Sequence, residues 1–234
     1  DAGGSAVAVR ADVTTPEGAR AIVDAAVTAF GGVDVVINNA GIVAQASFEE
    51  TTTDDLQKYL NVHYFGPFLV TQAAWPHLKK SGSGRVINTI SPAFLGVSGL
   101  VAYAGSKGAL VSLTRTLAIE GAPFGITSNA ISPGAATRML DATSGWTPGD
   151  VIEWVKDAVR PEQTSPVVAY LAHPDAQDIT GEIIFTAGGS VARQVFTQAM
   201  GIVQQDQTVE DVAAQIDQIM DLELNFPQLV EIPE

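Results

Sequence analysis

Short apolar runs, each followed by a stretch of helical periodicity, recur down this chain and leave little choice of fold. Val33–Ile37 is apolar apart from Asp34, the pattern of a strand covered on both faces. Arg85–Ile90, Ile126–Ile131 and Gly181–Thr186 read as further strands, and Ala6–Val13 alternates toward β. Helical patterns fall between them. Thr14-Thr15-Pro16-Glu17 opens a helix over 16–30 with a Thr cap, an early Pro and an acidic first turn, and Gly31-Gly32 stops it. Thr53 to about Lys79 and Ala102–Ile119 carry two more, the second closed by Gly121, and Thr147-Pro148-Gly149-Asp150 and Ser165-Pro166 look like two further starts. Strand–helix alternation with short connections predicts a parallel α/β sheet.

The 234 residues are 46% hydrophobic, enough for one domain with a real core, and no repeat or linker divides them. The body is assigned to residues 1–190 and a helical extension, packed on it or on a neighbouring subunit, to 191–234. In that extension Thr208-Val209-Glu210-Asp211 has a capping pattern, and Val209, Val212, Ile216, Ile219 and Met220 recur at helical spacing. The remainder, with Pro227 and Pro233, is expected to be irregular. Twelve basic against 26 acidic residues give a net charge of −14 with no basic run, which argues against nucleic acid and against an anionic membrane. With no uncharged apolar stretch of about 18 residues and no signal-like start, a soluble, cytoplasmic protein is expected. There is no cysteine, so thiol chemistry is excluded. His63, His77 and His173 lack metal-ligand spacing and read as structural or exposed; no metal is expected.

One constellation carries chemistry. Ser91 stands twelve residues before Tyr103, and Lys107 four after it. On a helix Tyr103 and Lys107 share a face, and an ammonium beside a phenol favours the phenolate. Ser91, arriving from a strand end, can hydrogen-bond a substrate oxygen. Together they could move a proton to or from that oxygen. The bland alternative is an amphipathic helix with a surface Tyr and Lys. Asn38-Asn39-Ala40-Gly41 after the Val33–Ile37 strand is either a simple corner or a place where backbone approaches a flat ligand. Asn61, a poor helix former, falls in mid-helix, where it is either functional or a buried Asn satisfied by backbone. Asp12-Val13 ends the first alternating run, where the Asp could equally cap a helix, and Ser132-Pro133-Gly134 follows another strand as a candidate turn.

In this order these segments resemble the short-chain dehydrogenase/reductase family. The resemblance implies a Rossmann-like doubly wound parallel sheet and hydride transfer between a nicotinamide cofactor and a secondary alcohol or ketone. Tyr103 would be the general acid/base, Lys107 its pKa-lowering partner and a holder of the nicotinamide ribose, Ser91 the orienter of the substrate oxygen, and Asn61 a proton-relay residue. Asn39, Ala40 and Gly41 would support the adenosine side, Asp12 and Val13 the adenine, and Pro133, Gly134 and Thr137 the nicotinamide. Residues 135–165, with Trp146 and Trp154, sit where the family carries a substrate lid, although the aromatics could be core anchors. Pro92, directly after Ser91, departs from many relatives and either stiffens the loop or shifts Ser91.

A narrower resemblance covers Asn39-Ala40-Gly41-Ile42, Ala73-Ala74-Trp75-Pro76-His77-Leu78, Leu117-Ala118-Ile119-Glu120-Gly121, Asn129-Ala130-Ile131-Ser132-Pro133 and Pro166–His173. These look like the (3R)-hydroxyacyl-CoA dehydrogenase domains of the multifunctional enzyme type 2 group. The resemblance implies an acyl-CoA or other alcohol/ketone substrate, NAD or NADP with NAD favoured, and a homodimer or homotetramer, with Arg138, Arg160 and Arg193 as candidates for CoA phosphates. The family's opening strand, glycine-rich Thr-Gly-x-x-x-Gly-x-Gly turn, helix and second strand have no counterpart in the chain. The sheet is therefore expected to be N-terminally incomplete, its first two strands missing, and the chain to be weak or inactive. The alternatives are a non-catalytic oligomerising relic and a reductase of carrier-protein or steroid ketones.

Overall fold

The computed structural model of the chain describes residues 3–141, 156, 158–199, 201–221 and 225–226. Five strands hydrogen-bond in the order β1 (Val35–Asn38), β2 (Arg85–Thr89), β3 (Thr127–Gly134), β4 (Ile183–Ala187) and β5 (Ser190–Gln194). The first four are parallel, with Val36 opposite Val86, Val86 opposite Ser128 and Ile131 opposite Ile184. β5 lies beyond the strands predicted from the sequence. It returns from β4 through Gly188-Gly189, whose φ of 56° and 81° are the two left-handed conformations that a two-residue hairpin of this kind requires.

The side chains sort with the two-residue period of a strand. Val36, Val86, Ala130 and Ile183 face one layer of helices, and Ile87, Ile131 and Ile184 face the other. On the first face α1 (Pro16–Phe30) supplies Val23, α3 (Gly66–Ser81) supplies Ala74 and Leu78, and α4 (Val101–Gly121) supplies Leu110, Val111 and Leu113. On the second, α6 (Ser165–Ala172) brings Leu171, Val167 and Val168 onto Ile87 and Ile131. A short α5 (Arg138–Asp141) follows β3. This is the doubly wound α/β architecture expected, and the strand ends that carry Asn38, Thr89 and Gly134 lie together along one edge of it.

Three expectations change. Ala6–Val13 forms no strand: it runs extended and largely exposed into the turn that opens α1. Alternation makes a strand only when a ladder partner is present, and Val7 and Val9 are left facing solvent. The helix expected over 53–79 is interrupted. α2 (Thr53–Leu60), opened by a reciprocal Thr52–Asp55 cap, gives way to a widened turn over Asn61–Phe65 before α3. In this turn the Gly66 N–H reaches back five residues to the Asn61 carbonyl. Pro67 is the cause: it has no N–H for the His63 carbonyl, and in a regular helix its ring would strike that carbonyl. Third, Pro133-Gly134, expected as a loop, completes β3 opposite Thr186-Ala187. Pro is tolerated there because pairing with β2 has stopped at Ile131. The helix start at Thr147 and both Trp146 and Trp154 lie outside the described residues.

Two compact units divide the chain, Asp1–Arg193 and Gln194–Glu234. In the second, β6 (Gln198–Ala199) pairs antiparallel with β7 (Asn225–Phe226), where no strand was expected. Thr208 and Asp211 cap each other reciprocally at the start of α7 (Val209–Ala214), and Gln215 breaks the helical run before α8 (Ile216–Ile219).

Candidate active site

Ser91 leaves the end of β2 and caps a short turn over Pro92–Leu95, its Oγ accepting the Ala93 N–H at 3.2 Å. Pro92 occupies the first position of that turn, where its missing N–H has no partner to lose. Tyr103 stands on the first turn of α4, where the Ser91 side chain favours its ionised form. Tyr103 is almost buried, packed with Tyr59, Ala93, Leu100 and Ala102 and flanked by Ile42 and Val43. The convergence of strand end and helix start expected for Ser91 and Tyr103 is therefore present.

Lys107 shares the Tyr103 face of α4, and its ammonium is held by a backbone carbonyl. Its Nζ lies 5.9 Å from the Tyr103 ring centre and donates to the Thr89 carbonyl at 2.6 Å. Burial lowers the Lys107 pKa from 10.5 to about 8. The Tyr103 pKa, expected to fall, is raised instead. Burial is the chief cause, only partly offset by the Ser91 side chain, and Tyr59 pushes in the same direction as burial. Taking a phenolate out of water costs more than a neighbour hydroxyl returns.

The loop after β1 closes one side of the site. Asn38 Nδ2 donates to Asn88 Oδ1 at 2.8 Å and to Thr71 Oγ1 at 3.0 Å, and Asn88 Nδ2 donates to Thr114 Oγ1 at 2.9 Å. This polar belt ties β1 and β2 to α3 and α4. Asn39 Oδ1 accepts the Thr89 hydroxyl at 3.2 Å, beside the carbonyl that holds Lys107. Ala40 and Gly41 are exposed at the same strand end. Across it, Thr137 caps α5 by accepting the Met139 N–H at 3.3 Å, and the Met139 methyl approaches Gly41. Next to Gly134, the Ser132 hydroxyl is fully buried with no hydrogen-bond partner.

Three expected site residues, Asp12, Val13 and Asn61, stand apart from this cluster. The Asp12 carboxylate accepts the Thr14 N–H at 2.9 Å and the Thr14 hydroxyl at 2.8 Å, building the turn before α1, while Val13 packs against Gly66. Asn61 Oδ1 accepts from Gln57 at 2.7 Å and lines an open surface cavity with Thr14, Asp54, Lys58 and Val62. The side chain of that turn that meets Tyr103 is His63, a residue the sequence reading set aside as structural. Its ring stands edge-on to Tyr103 with centres 5.3 Å apart. The available signal was Gly66-Pro67: a proline there forces the wider turn and shifts the phase of the inward face.

The described residues fit the nicotinamide end of a dinucleotide. Ala40 and Gly41 are exposed at the start of the loop whose Ile42 and Val43 pack against Tyr103, the Asn39 amide bonds the Thr89 side chain beside Lys107, and Met139 of the Thr137-capped α5 approaches Gly41. No glycine-rich strand-to-helix turn for a pyrophosphate occurs among them. Arg193, a candidate for CoA phosphate, is engaged by both Glu182 carboxylate oxygens at 2.6 Å.

Residues 1–190 match the family described as Enoyl-(Acyl carrier protein) reductase. A Mycobacterium tuberculosis protein named as a short-chain type dehydrogenase/reductase is 38% identical over 95% of this chain and 76% of its own. The crystal structure of a short chain dehydrogenase from Mycobacterium avium superposes with a TM-score of 0.79 at 31% identity, covering 94% of this chain and 76% of that one. Full-length peroxisomal multifunctional enzyme type 2 from Drosophila melanogaster gives 0.77 at 31% identity, covering 96% of this chain but 38% of that one. The chain spans less than half the length of the peroxisomal multifunctional enzymes it matches. A hydroxyl pair at a strand end with a lysine on the same helical face, on this sheet and with these relatives, has one consistent assignment: the chain belongs to the short-chain dehydrogenase/reductase family of oxidoreductases.

Proposed function

We propose that this chain interconverts a secondary alcohol and its ketone, with Tyr103, Ser91 and Lys107 as the reacting apparatus and a 3-hydroxyacyl thioester as the substrate class. The observation that carries this is the convergence of Ser91, on the turn that follows β2, with Tyr103 and Lys107 on one face of α4: Ala93 of that turn packs against Tyr103, and the Lys107 ammonium is held at the β2 end by the Thr89 carbonyl. A bound nicotinamide would accept or supply the hydride, and the narrower resemblance favours NAD. All proton handling falls to the chain. Tyr103 takes the alcohol proton in oxidation and returns it in reduction. Ser91 donates to the substrate oxygen as charge builds there. Lys107, its ammonium held near the Tyr103 ring by the Thr89 carbonyl, lowers the cost of the phenolate that burial otherwise opposes. Asn61 would support a proton path only through a water, since its side chain is engaged with Gln57.

An apolar acyl chain suits the surroundings. Leu95 and Val97, in the loop that follows Ser91, are 68% and 49% exposed. Phe48, at 81%, stands in a neighbouring loop tied to them by the Ala46 N–H to Gly99 carbonyl bond at 3.0 Å. The name of the matched family favours carrier-protein thioesters as the competing substrate. Nicotinamide absorbance followed with 3-hydroxyacyl-CoA, a carrier-protein thioester and a steroid alcohol separates these. Tyr103→Phe should lower the rate roughly a thousandfold while leaving the circular dichroism spectrum unchanged. A Tyr103→Phe enzyme with a tenth or more of the parent rate would remove Tyr103 from the mechanism.

A further inference from the structure

His63 is fully buried, and both its ring nitrogens are committed. Nε2 lies 3.0 Å from the Ile42 backbone nitrogen, which can only donate, so Nε2 carries the lone pair. The proton is therefore on Nδ1, 2.8 Å from Ser106 Oγ. Ser106 uses its own proton on the Tyr103 carbonyl, also at 2.8 Å. One directional chain thus runs from the loop after β1, through the imidazole and a helix hydroxyl, to the backbone of Tyr103. Packing repeats the connection. The ring meets Tyr103 at an interplanar angle of 87° and Tyr59 at 45°, and Tyr59 meets Tyr103 at 86°. A β-carbon on Gly41 would stand 3.3 Å from Nε2, so the loop lies against the ring closely enough that only glycine fits without a shift.

We propose that His63 is a positioning residue: a permanently neutral imidazole that, through Ser106, fixes the Tyr103 phenol relative to the strand-end loop at residues 39–42. The inference rests on the reading of Tyr103 as the proton-transfer group. His63 itself has no free nitrogen to exchange a proton with substrate. A second proton would point an N–H at the Ile42 N–H and set a cation beside Lys107. Burial and that lysine hold the His63 pKa down at about 3, and the other titratable groups against the ring, Tyr59 and Tyr103, are neutral phenols with raised pKa values.

The test uses the full chain labelled with 15N at histidine and 13C at tyrosine. Long-range proton–nitrogen spectra are expected to show His63 neutral, protonated on Nδ1, and unchanged between about pH 5 and 8. The Tyr103 phenol titration, read at Cζ, is expected to move by half a unit or more in Ser106→Ala and in His63→Leu, and to return toward the parent in His63→Gln, whose amide keeps an acceptor and a donor. In turnover the same two variants should lose kcat about tenfold with KM little changed. A His63 that titrates near its ordinary value, a proton on Nε2, or a Tyr103 titration in Ser106→Ala that overlays the parent overturns the proposal. Should His63→Leu not fold, Ser106→Ala alone decides, since it removes a single oxygen. Absence of turnover in the parent with every alcohol and ketone tried would instead count against the reading of Tyr103, and the spectra would still decide whether His63 positions it.

Discussion

Lys107 holds an ammonium in a nearly dry place with a single carbonyl acceptor, and the fold bears the cost. Its pKa of about 8 when folded lies below the ordinary 10.5. Between those values the unfolded chain still binds a proton that the folded chain has released, so stability rises with pH through that window and the full cost is present below it. Tyr103, with its raised pKa, opposes the gain above its ordinary 10.0, which leaves pH 8 to 10 as the clean interval. Urea midpoints are expected to rise across that interval by an amount corresponding to roughly 2–3 kcal/mol, and the rise should vanish in Lys107→Met. His63 acts at the other end. Its folded pKa of about 3 lies below 6.5, so the unfolded chain binds the extra proton as pH falls through that range, and stability declines by about 2 kcal/mol by pH 5. The carboxylates with lowered pKa values, Asp12, Glu50, Asp55 and Asp211, start from 3.8 or 4.5 and add their losses later. His63→Gln should flatten the decline between pH 6.5 and 5; an unchanged slope would mean that His63 titrates normally.

Among elements, the belt Asn38–Asn88–Thr114 does what apolar packing cannot. It fixes the register of β1 on β2 and the rotation of α4 above them, because each amide reaches its partner from one direction. Asn88 is completely buried. Asn88→Leu leaves one Asn38 N–H without its acceptor, while Asn38 keeps Thr71 and Thr114 keeps the Leu110 carbonyl, and should cost about 2 kcal/mol in urea unfolding; a loss below half of that would show the belt to be dispensable. How much could be read in advance follows from the same local-versus-distant distinction. Ser91, Tyr103 and Lys107 were legible because the i,i+4 spacing is a property of one helix and the strand end delivers Ser91 to it. The direction of the Lys107 ammonium was not, since it is set by a carbonyl eighteen residues away. His63 was missed because it was weighed only for metal-ligand spacing, while Asn61 was chosen as a poor helix former at a position the resemblance marks; the wider turn that Pro67 forces is what carries the His63 ring to Tyr103. Ala6–Val13 has a strand's alternation, but pairing is decided by what lies beside it. Gly188-Gly189 was read only as the end of the last strand, because a glycine pair alone does not say whether the chain returns to pair as β5.

At the scale of the molecule, two surface properties oppose each other. Leu56, Phe65 and Phe68 on the α2–α3 run and Val101 and Ile119 on α4 are all between 39% and 47% exposed, a supply of apolar surface on the two long helical segments that a lone domain leaves wet. Burying such side chains between copies of the chain contributes about 25 cal/mol for each Å² removed from water. Each copy also carries a net charge of −14, so bringing two together sums like charge at close range. The apolar term is indifferent to moderate salt, whereas the repulsion is screened within about 8 Å at physiological ionic strength. Self-association is therefore expected to tighten as salt rises, the reverse of an assembly held by ion pairs. Sedimentation velocity at low and moderate salt measures this directly: the sedimentation coefficient at fixed concentration should increase with salt. The double variant Phe65→Asp, Phe68→Asp should sediment as a single copy at both, because it removes apolar area and adds charge at the same place. If the parent stays monomeric at every salt concentration, those phenylalanines are ordinary exposed side chains; if the double variant still assembles, the contact lies on another face.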